Sequence, residues 1–374
     1  MAYSAYCDTA SATKWWITGT GSSVNRLSEV MDDNASGVEE YDNPGNYQPW
    51  STFMTETVED GVYLIHLPLE VGNGSTATTL TSLDEMVYFD DGVTLQIENY
   101  ATLELGENTY GDWSSKGAFW NLGTTQSVGY RIIPSGGTGI VRLYGSRLHN
   151  RAAGYMAFSG GTLSAKNSIF SCEFPYNDTN SFRRFYIGAT TIEFEDVLFL
   201  NNYSVDILNT PTTFEDVHIH KAQEAISTTK DVVVTNVKAT EVVRTVRQQG
   251  STGQTIQFVD MYGSVVLPAI SNSESNVIQQ RYTCNITVAD KDGTLLDDVV
   301  VDCEDDDGTA VWTAGTEVTG ATNTGKIDEQ TITCRSWTGT SGTLKTYSPH
   351  KFTLSKAGYE TLILENITVD APIV

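Results

Sequence analysis

Residues Ile192–Phe199 read IEFEDVLF, and their rhythm of apolar and polar positions returns in four other places. The relatives are LSAKNSIF at Leu163–Phe170, TFEDVHI at Thr213–Ile219, VVVTNVKA at Val232–Ala239 and TIQFVDMYG at Thr255–Gly263. Aligned on Asn167, Asp196, Asp216, Asn236 and Asp260, they follow one another at 29, 20, 20 and 24 residues. A period of that size predicts stacked repeats that share a continuous core.

Each repeat carries its own internal signal. Before the Asn or Asp, alternate residues are apolar (Ile192 and Phe194, Val232 and Val234, Ile256 and Phe258), the pattern of a strand with one buried face. The phase then slips, and the next apolar residues fall one and three positions later, as in Val197 and Phe199 or Val217 and Ile219. A strand, a one-residue left-handed bend and a second strand satisfy this, and Asn and Asp are the side chains that best tolerate that bend. A third short strand is expected in each repeat, at Tyr155–Phe158, Phe185–Ile187, Val205–Leu208, Ala225–Ser227 and Arg244–Val246.

The slip at Asn167, Asp196, Asp216, Asn236 and Asp260 resembles the turn ladder of the right-handed parallel β-helix of the pectate-lyase type, in which stacked Asn side chains line a sharp turn between strands. The resemblance implies an all-β chain with a parallel β-helix over residues 61–270, and it carries fold rather than chemistry. The first repeats are less regular. Val93, Leu95 and Ile97 are in phase, with Asn99 placed at a ladder position, and Asn108–Ser135 reads as an excursion from one edge.

Residues 1–60 are expected to form an N-terminal cap or anchor. Two roles are open to Tyr41, Tyr47 and Trp50: covering the apolar cross-section of the first repeat, or forming an attachment surface. Residues 271–280, opening with SNSESN, have the composition of a linker. Beyond it, Cys284, Ile286 and Val288 share one strand face, as do Val299, Val301 and Cys303. The turn Asp290–Gly293, the stretch TNTGK at Thr322–Lys326 and SKAGYE at Ser355–Glu360 resemble the carboxypeptidase regulatory-like, Ig-like β-sandwich. Residues 281–374 are therefore assigned to such a domain, with Leu295 or Leu296 standing where that family usually has Pro.

Composition narrows the partners. The net charge of −25 argues against nucleic acid or an anionic membrane, since phosphate binding needs clustered Lys and Arg. No stretch approaches the roughly 20 apolar residues of a membrane span, and the N-terminus lacks the basic and apolar segments of a secretion signal. The five cysteines contain no CxxC pair, so reduced core thiols are expected and a structural zinc is not.

The sequence offers few reactive groups. Glu193, Glu195 and Glu215 point outward, with Glu195 expected over Glu215 and beside Lys166. Paired carboxylates are what glycoside hydrolysis requires, but the basic and aromatic neighbours of a catalytic face are missing beyond Lys166, so a solvated strand face is expected and no catalytic residue is assigned. His218 and His220 point outward without an evident third ligand, and Glu304–Asp307 lacks the ligand spacing of a calcium loop; no metal or cofactor is assigned. The combined architecture resembles virion decoration, fibre or spike proteins of tailed viruses. That resemblance implies a non-enzymatic protein on the virion surface, bound to other virion proteins through its N-terminal segment and facing a host-surface glycan or protein, with a homotrimer among its assemblies. A glycan lyase or hydrolase and a cell-surface adhesin are the alternatives.

Overall fold

The computed structural model describes residues 3–373 apart from 20–26, 58–61, 76, 83–84, 91–92, 107–117, 123–129, 134–135, 151–154, 173–183, 209–213, 249–252, 264–268 and 271–274. The expected excursion therefore lies largely outside the described residues, as do Ser271–Glu274 of the linker. The fold is almost entirely β. Among the described residues the α-helix Leu27–Asp33 is far too short to cross a membrane. Two compact units are present, residues 1–228 with 238–246 and 264–267, and residues 229–237 with 247–263 and 268–374.

In the first unit, parallel pairing stacks equivalent strands of successive repeats. Thr78–Ser82, Ala101–Leu105, Ile140–Tyr144, Thr162–Lys166 and Thr191–Glu195 form one five-stranded parallel sheet. Its register aligns Leu80, Leu103, Val141, Leu163 and Ile192 in a single column, all buried. A second parallel set, including Phe119–Leu122, Arg147–Asn150, Ile169–Cys172 and Val197–Ile207, aligns Trp120, Leu148, Phe170 and Phe199. Phe170 and Phe199 stack at 5.1 Å between centroids and 13° between planes. The expected third strands are present as well: Met156–Phe158 pairs with Arg184–Ile187, which pairs in turn with the end of Val197–Ile207. Burying one apolar side chain of this size contributes about 1.5–3 kcal/mol, so a column of five is a major share of the stability of its sheet.

The bends between strands are left-handed where the phase slip predicts them. Asn167, Asp196, Asp216, Asn236 and Asp260 have φ of 48°, 53°, 53°, 52° and 55°. Gly145 (φ 55°) takes the place preceding Asn167, in register through Tyr144 and Lys166. Upstream, the left-handed residue is Tyr100 (φ 63°) and not Asn99; Asn99 instead accepts the Thr138 amide at 2.9 Å. A second left-handed corner stands five residues after three of the bends, at Asn201, Lys221 and Glu241 (φ 55°, 57° and 52°).

Residues 3–56 extend the stack. Trp15–Thr18 pairs in parallel with Leu69–Val71, which pairs with Leu95–Ile97, so Trp15 joins Leu69 and Leu95 in one buried column. Ser4–Cys7 lies antiparallel outside Trp15–Thr18. Asn34 ties the helix end to the first strand, donating to Val30 O and Tyr3 O and accepting from Ala5 N. Trp50 packs edge-on against Trp15 at 5.7 Å. Tyr41 and Tyr47 stay exposed, at 63% and 44%, with Tyr41 edge-on to Trp16 at 5.5 Å.

In the second unit, Val232–Thr235, Thr255–Val259 and Val277–Arg281 pair in parallel. The strand Val277–Cys284 overturns the placement of residues 277–280 in a linker. Its alternation of buried and half-buried side chains continues unbroken, with Ile278, Gln280, Tyr282 and Cys284 all buried, and its other edge pairs antiparallel with Gln330–Thr338 along its whole length. Val300–Glu304, His350–Ser355 and Leu362–Ile367 make a three-stranded antiparallel sheet. Between these elements lies a core containing Tyr282, Cys284, Val301, Cys303, Ile332, Cys334 and Phe352. All five cysteines are free and buried; burial pushes the Cys7 thiol up to about 11 and those of Cys284 and Cys334 up to about 12, which leaves them inert as nucleophiles.

Two expectations can be measured. Asn236→Leu forces a branched side chain into a left-handed bend and should be less stable than Asn236→Gly by about 1–2 kcal/mol, because glycine adopts that backbone freely; urea denaturation reads both, and equal stability of the two variants would show that the bend imposes no requirement. The segment 277–374, which keeps the whole antiparallel pairing of Val277–Cys284, should unfold in one cooperative thermal transition when expressed alone. Circular dichroism without such a transition would show that this core depends on the preceding strands.

Candidate functional site

The glutamates singled out in the sequence stand on an exposed strand face. Glu193 and Glu195 alternate with buried Ile192 and Phe194 in Thr191–Glu195. Lys166 is the register partner of Glu195, and its Nζ lies 2.7 Å from Glu195 Oε1, with the two side chains 44% and 54% exposed. A solvated pair of this kind contributes under about 1 kcal/mol. Glu215 opens the strand Glu215–Thr228, whose pairing with the preceding repeat is from Val197 and Val217 onward. Lys166 is thus the ladder partner of Glu195 in the preceding repeat, while Glu195 and Glu215 each stand two residues before the register partners Val197 and Val217, with the adjacent rings of Phe194 and Phe214 at 5.6 Å.

The most concentrated polar chemistry lies elsewhere, on the third strands. There the inward columns are Phe185, Val205 and Ile226, and Ile187 and Ile207. Alternation consequently turns Arg184, Ser204 and Glu224 outward in one column and Tyr186, Asp206 and Ser227 in the next. These outward residues are nevertheless buried: Asp206 is 5% exposed and Glu224 and Ser204 are fully covered. A buried carboxylate requires a partner. Arg184 Nη1 donates to Asp206 Oδ2 at 2.8 Å, and Ser204 donates to Asp206 Oδ1. Arg244 Nη1 reaches Glu224 Oε1 at 3.5 Å. The Arg184 guanidinium also sits 4.9 Å from the Tyr203 ring centre, an added cation–π attraction, and Tyr155 meets Tyr186 edge-on at 4.9 Å.

Burial raises the Asp206 carboxyl above its ordinary value, with Arg184 and the Ser204 and Ser227 hydroxyls opposing the rise. Chemically the face offers a desolvated acid, an adjacent carboxylate, two guanidinium groups and three phenol rings. With Ser204 and Glu224 fully covered and Asp206 nearly so, the carboxylates of this set are paired within the face. The sequence did hold a signal for it: Ser204, Glu224 and Arg244 recur every 20 residues. Outward alternation alone makes such residues look solvated.

Two histidine arrangements stand apart from this face. His66 Nδ1 lies 2.7 Å from Asp90 Oδ2 and His66 Nε2 lies 3.0 Å from Thr55 Oγ1, the hydroxyl–imidazole–carboxylate order of a nucleophilic triad. The neighbouring amides of Thr57, His66 and Asp90 are spent on the carbonyls of Val62, Phe53 and Ile65, so these amides build no oxyanion hole, and the trio clamps adjoining strands. His218 and His220 lie half-buried, two apart on Glu215–Thr228, and both rings meet the Thr240 hydroxyl. Burial, Lys238 and His220 all lower the His218 pKa. Among the described residues no group of three or more His, Cys, Asp or Glu side chains forms a ready metal cage.

Arg184→Met should expose the cost of the buried pair. Without its cation Asp206 has a folded pKa still further above the unfolded value, so its ionised form costs stability at neutral pH and protonation removes that cost. The variant should be less stable by about 3 kcal/mol at pH 7, and the deficit should shrink as pH falls into the carboxylate range. Urea midpoints measured across that range check both the size and the sign. No family model, curated protein or solved structure matches the chain.

Proposed function

We propose that the chain is a parallel β-helix capped by its N-terminal strands and joined to an Ig-like, carboxypeptidase regulatory-like β-sandwich, and that it serves as a non-enzymatic structural protein on the surface of a viral particle, in capsid decoration, a tail fibre or a spike. The observation that carries this reading is the unbroken buried column Leu80, Leu103, Val141, Leu163 and Ile192. A stack locked by one register in every repeat resists bending and local unfolding, a property suited to a surface protein that must survive outside a cell. In this role the exposed Tyr41, beside Trp16, belongs to the surface that meets other virion proteins, since aromatic side chains dominate interface energetics. Host-surface glycan or protein is the outward partner, and a homotrimer is the assembly proposed for a spike.

A glycan-degrading enzyme is the second reading, and one observation favours it. The Asp206 carboxyl is raised by burial, as a general acid requires, with Glu224 on the same face. Two experiments separate the readings. Quantitative mass spectrometry of purified particles should find the chain there; its absence from particles, with free protein in the lysate, would sink the structural role. Incubation with capsular and cell-wall glycans should release no reducing ends. Depolymerisation that disappears in Asp206→Asn, or in Glu195→Gln with Glu215→Gln, while the far-ultraviolet spectrum is kept, would move the function to hydrolysis or elimination.

A further inference from the structure

In the sheet made by Val300–Glu304, His350–Ser355 and Leu362–Ile367, the last of these is the terminal strand, and among the described residues nothing pairs with its outer edge. Register puts Cys303, Phe352 and Leu364 in one cross-strand row and Val301, Leu354 and Leu362 in the next. Residues opposed in an antiparallel pair share a face. The first two members of each row are buried in the core of this unit, at 8% exposure or less, whereas Leu364 and Leu362 are 40% and 51% exposed. The core face thus runs one strand beyond its cover. Ile363, on the other face beside Thr353, is 52% exposed. The far edge of the sheet is protected, because Val301 N donates to Glu317 O and Cys303 O accepts from Val311 N. Three consecutive exposed apolar residues on a terminal strand that contains no Lys or Pro are what edge strands normally avoid.

We infer that Leu362–Ile367 is covered by the same strand of a second copy of this chain, paired antiparallel about a two-fold axis through Ile363. The strand is self-complementary in that register. Leu362 meets the partner's Leu364 on the core side and Ile363 meets its own counterpart on the other, while Glu365 meets the partner's Thr361 and Glu360 the partner's Asn366, so no carboxylates oppose each other. Because opposed residues share a face, the axis must pass through a residue. At Leu362 it would set Leu364 against the partner's Glu360, and at Leu364 it would set Ile363 against the partner's Glu365. This symmetry about Ile363 points to a second copy rather than to a strand of another protein. Pairing supplies backbone partners to the free edge and continues the leucine rows from one copy to the next. One edge per copy makes the contact isologous and closed at two, independent of the proposed surface role and of any three-fold assembly. A single strand pair falls short of the roughly 1,200 Å² of a stable interface, so association in the micromolar range is expected, opposed by the net charge of −25 and favoured by salt.

Sedimentation velocity of the full chain across micromolar concentrations, at about 0.15 M salt where repulsion is screened beyond about 8 Å, should show a monomer–dimer equilibrium. Ile363→Lys sets two ammonium groups against each other at the axis and should be monomeric over the same range, with circular dichroism confirming its fold. A second arm reads the register. Ile363→Cys, oxidised with copper phenanthroline, should give a disulfide-linked dimer, since cross-strand Cβ atoms lie about 4.5–5.5 Å apart. Glu365→Cys should not, because its counterpart lies four residues further along the partner strand. The native cysteines are buried and do not compete. An unmodified chain that stays monomeric, a dimer undiminished in Ile363→Lys, or equal cross-linking of Ile363→Cys and Glu365→Cys would overturn the pairing.

Discussion

Parallel hydrogen bonding between repeats is the constraint on which the sheets of the first unit rest. Strands paired about 4.8 Å apart place each residue over its equivalent in the next repeat, so the choice at one position is imposed on its column. Leu80, Leu103, Val141, Leu163 and Ile192 satisfy that demand on the inside of one sheet. The same demand fixes the corners, because strands stay in register only if the chain turns at equivalent places. Left-handed backbone at Asn167, Asp196 and Asp216 is therefore a condition of pairing as well as a local preference. An end of such a stack leaves backbone groups and an apolar section to cover, and Trp15–Thr18 does so by pairing with Leu69–Val71.

Register aligns polar residues as strictly as apolar ones, and the outcome depends on what covers them. On the exposed face of Thr191–Glu195, Glu195 and Lys166 keep water around them, and their attraction adds little. On the third strands the same outward direction leads into a dry setting. Asp206 and Arg184 there have side chains only 7% and 15% exposed, and desolvation is a cost that pairing must offset. Such an arrangement is poor at adding stability and good at fixing a charge distribution, and the carboxyl raised by burial, Asp206, lies on this face and not among the solvated glutamates.

How much was legible in the sequence follows from how narrow each requirement is. Few residues tolerate left-handed backbone, so Asn and Asp at regular intervals identified the first corner at five positions. Lys221 and Glu241 occupy the same backbone region at the second corner, yet neither residue type signals it; tertiary pairing holds them there against their preference. Tyr100 beside Asn99 is a similar case. The third strands were legible through Phe185, Val205 and Ile207, but their polar alternates were not, since alternation tells which way a side chain points and says nothing of what lies over it. Val277–Cys284 was misread at its start because polar composition marks a linker and a half-buried strand alike.

The two corners per repeat also govern how a chain of this kind can change its length. Asp196 and Asp216 are separated by the same interval as Asn201 and Lys221, so excising the stretch from Val197 through Asp216 would rejoin a left-handed corner to a strand that begins with Val217, the register partner of Val197. Every column would lose one member and none would be displaced. Within a strand, a deletion or insertion of an odd number of residues would send the inward side chains that follow it in that strand to the outside. Variation in length among chains built on this plan is thus confined to whole repeats within the sheets, with free insertion tolerated only between strands.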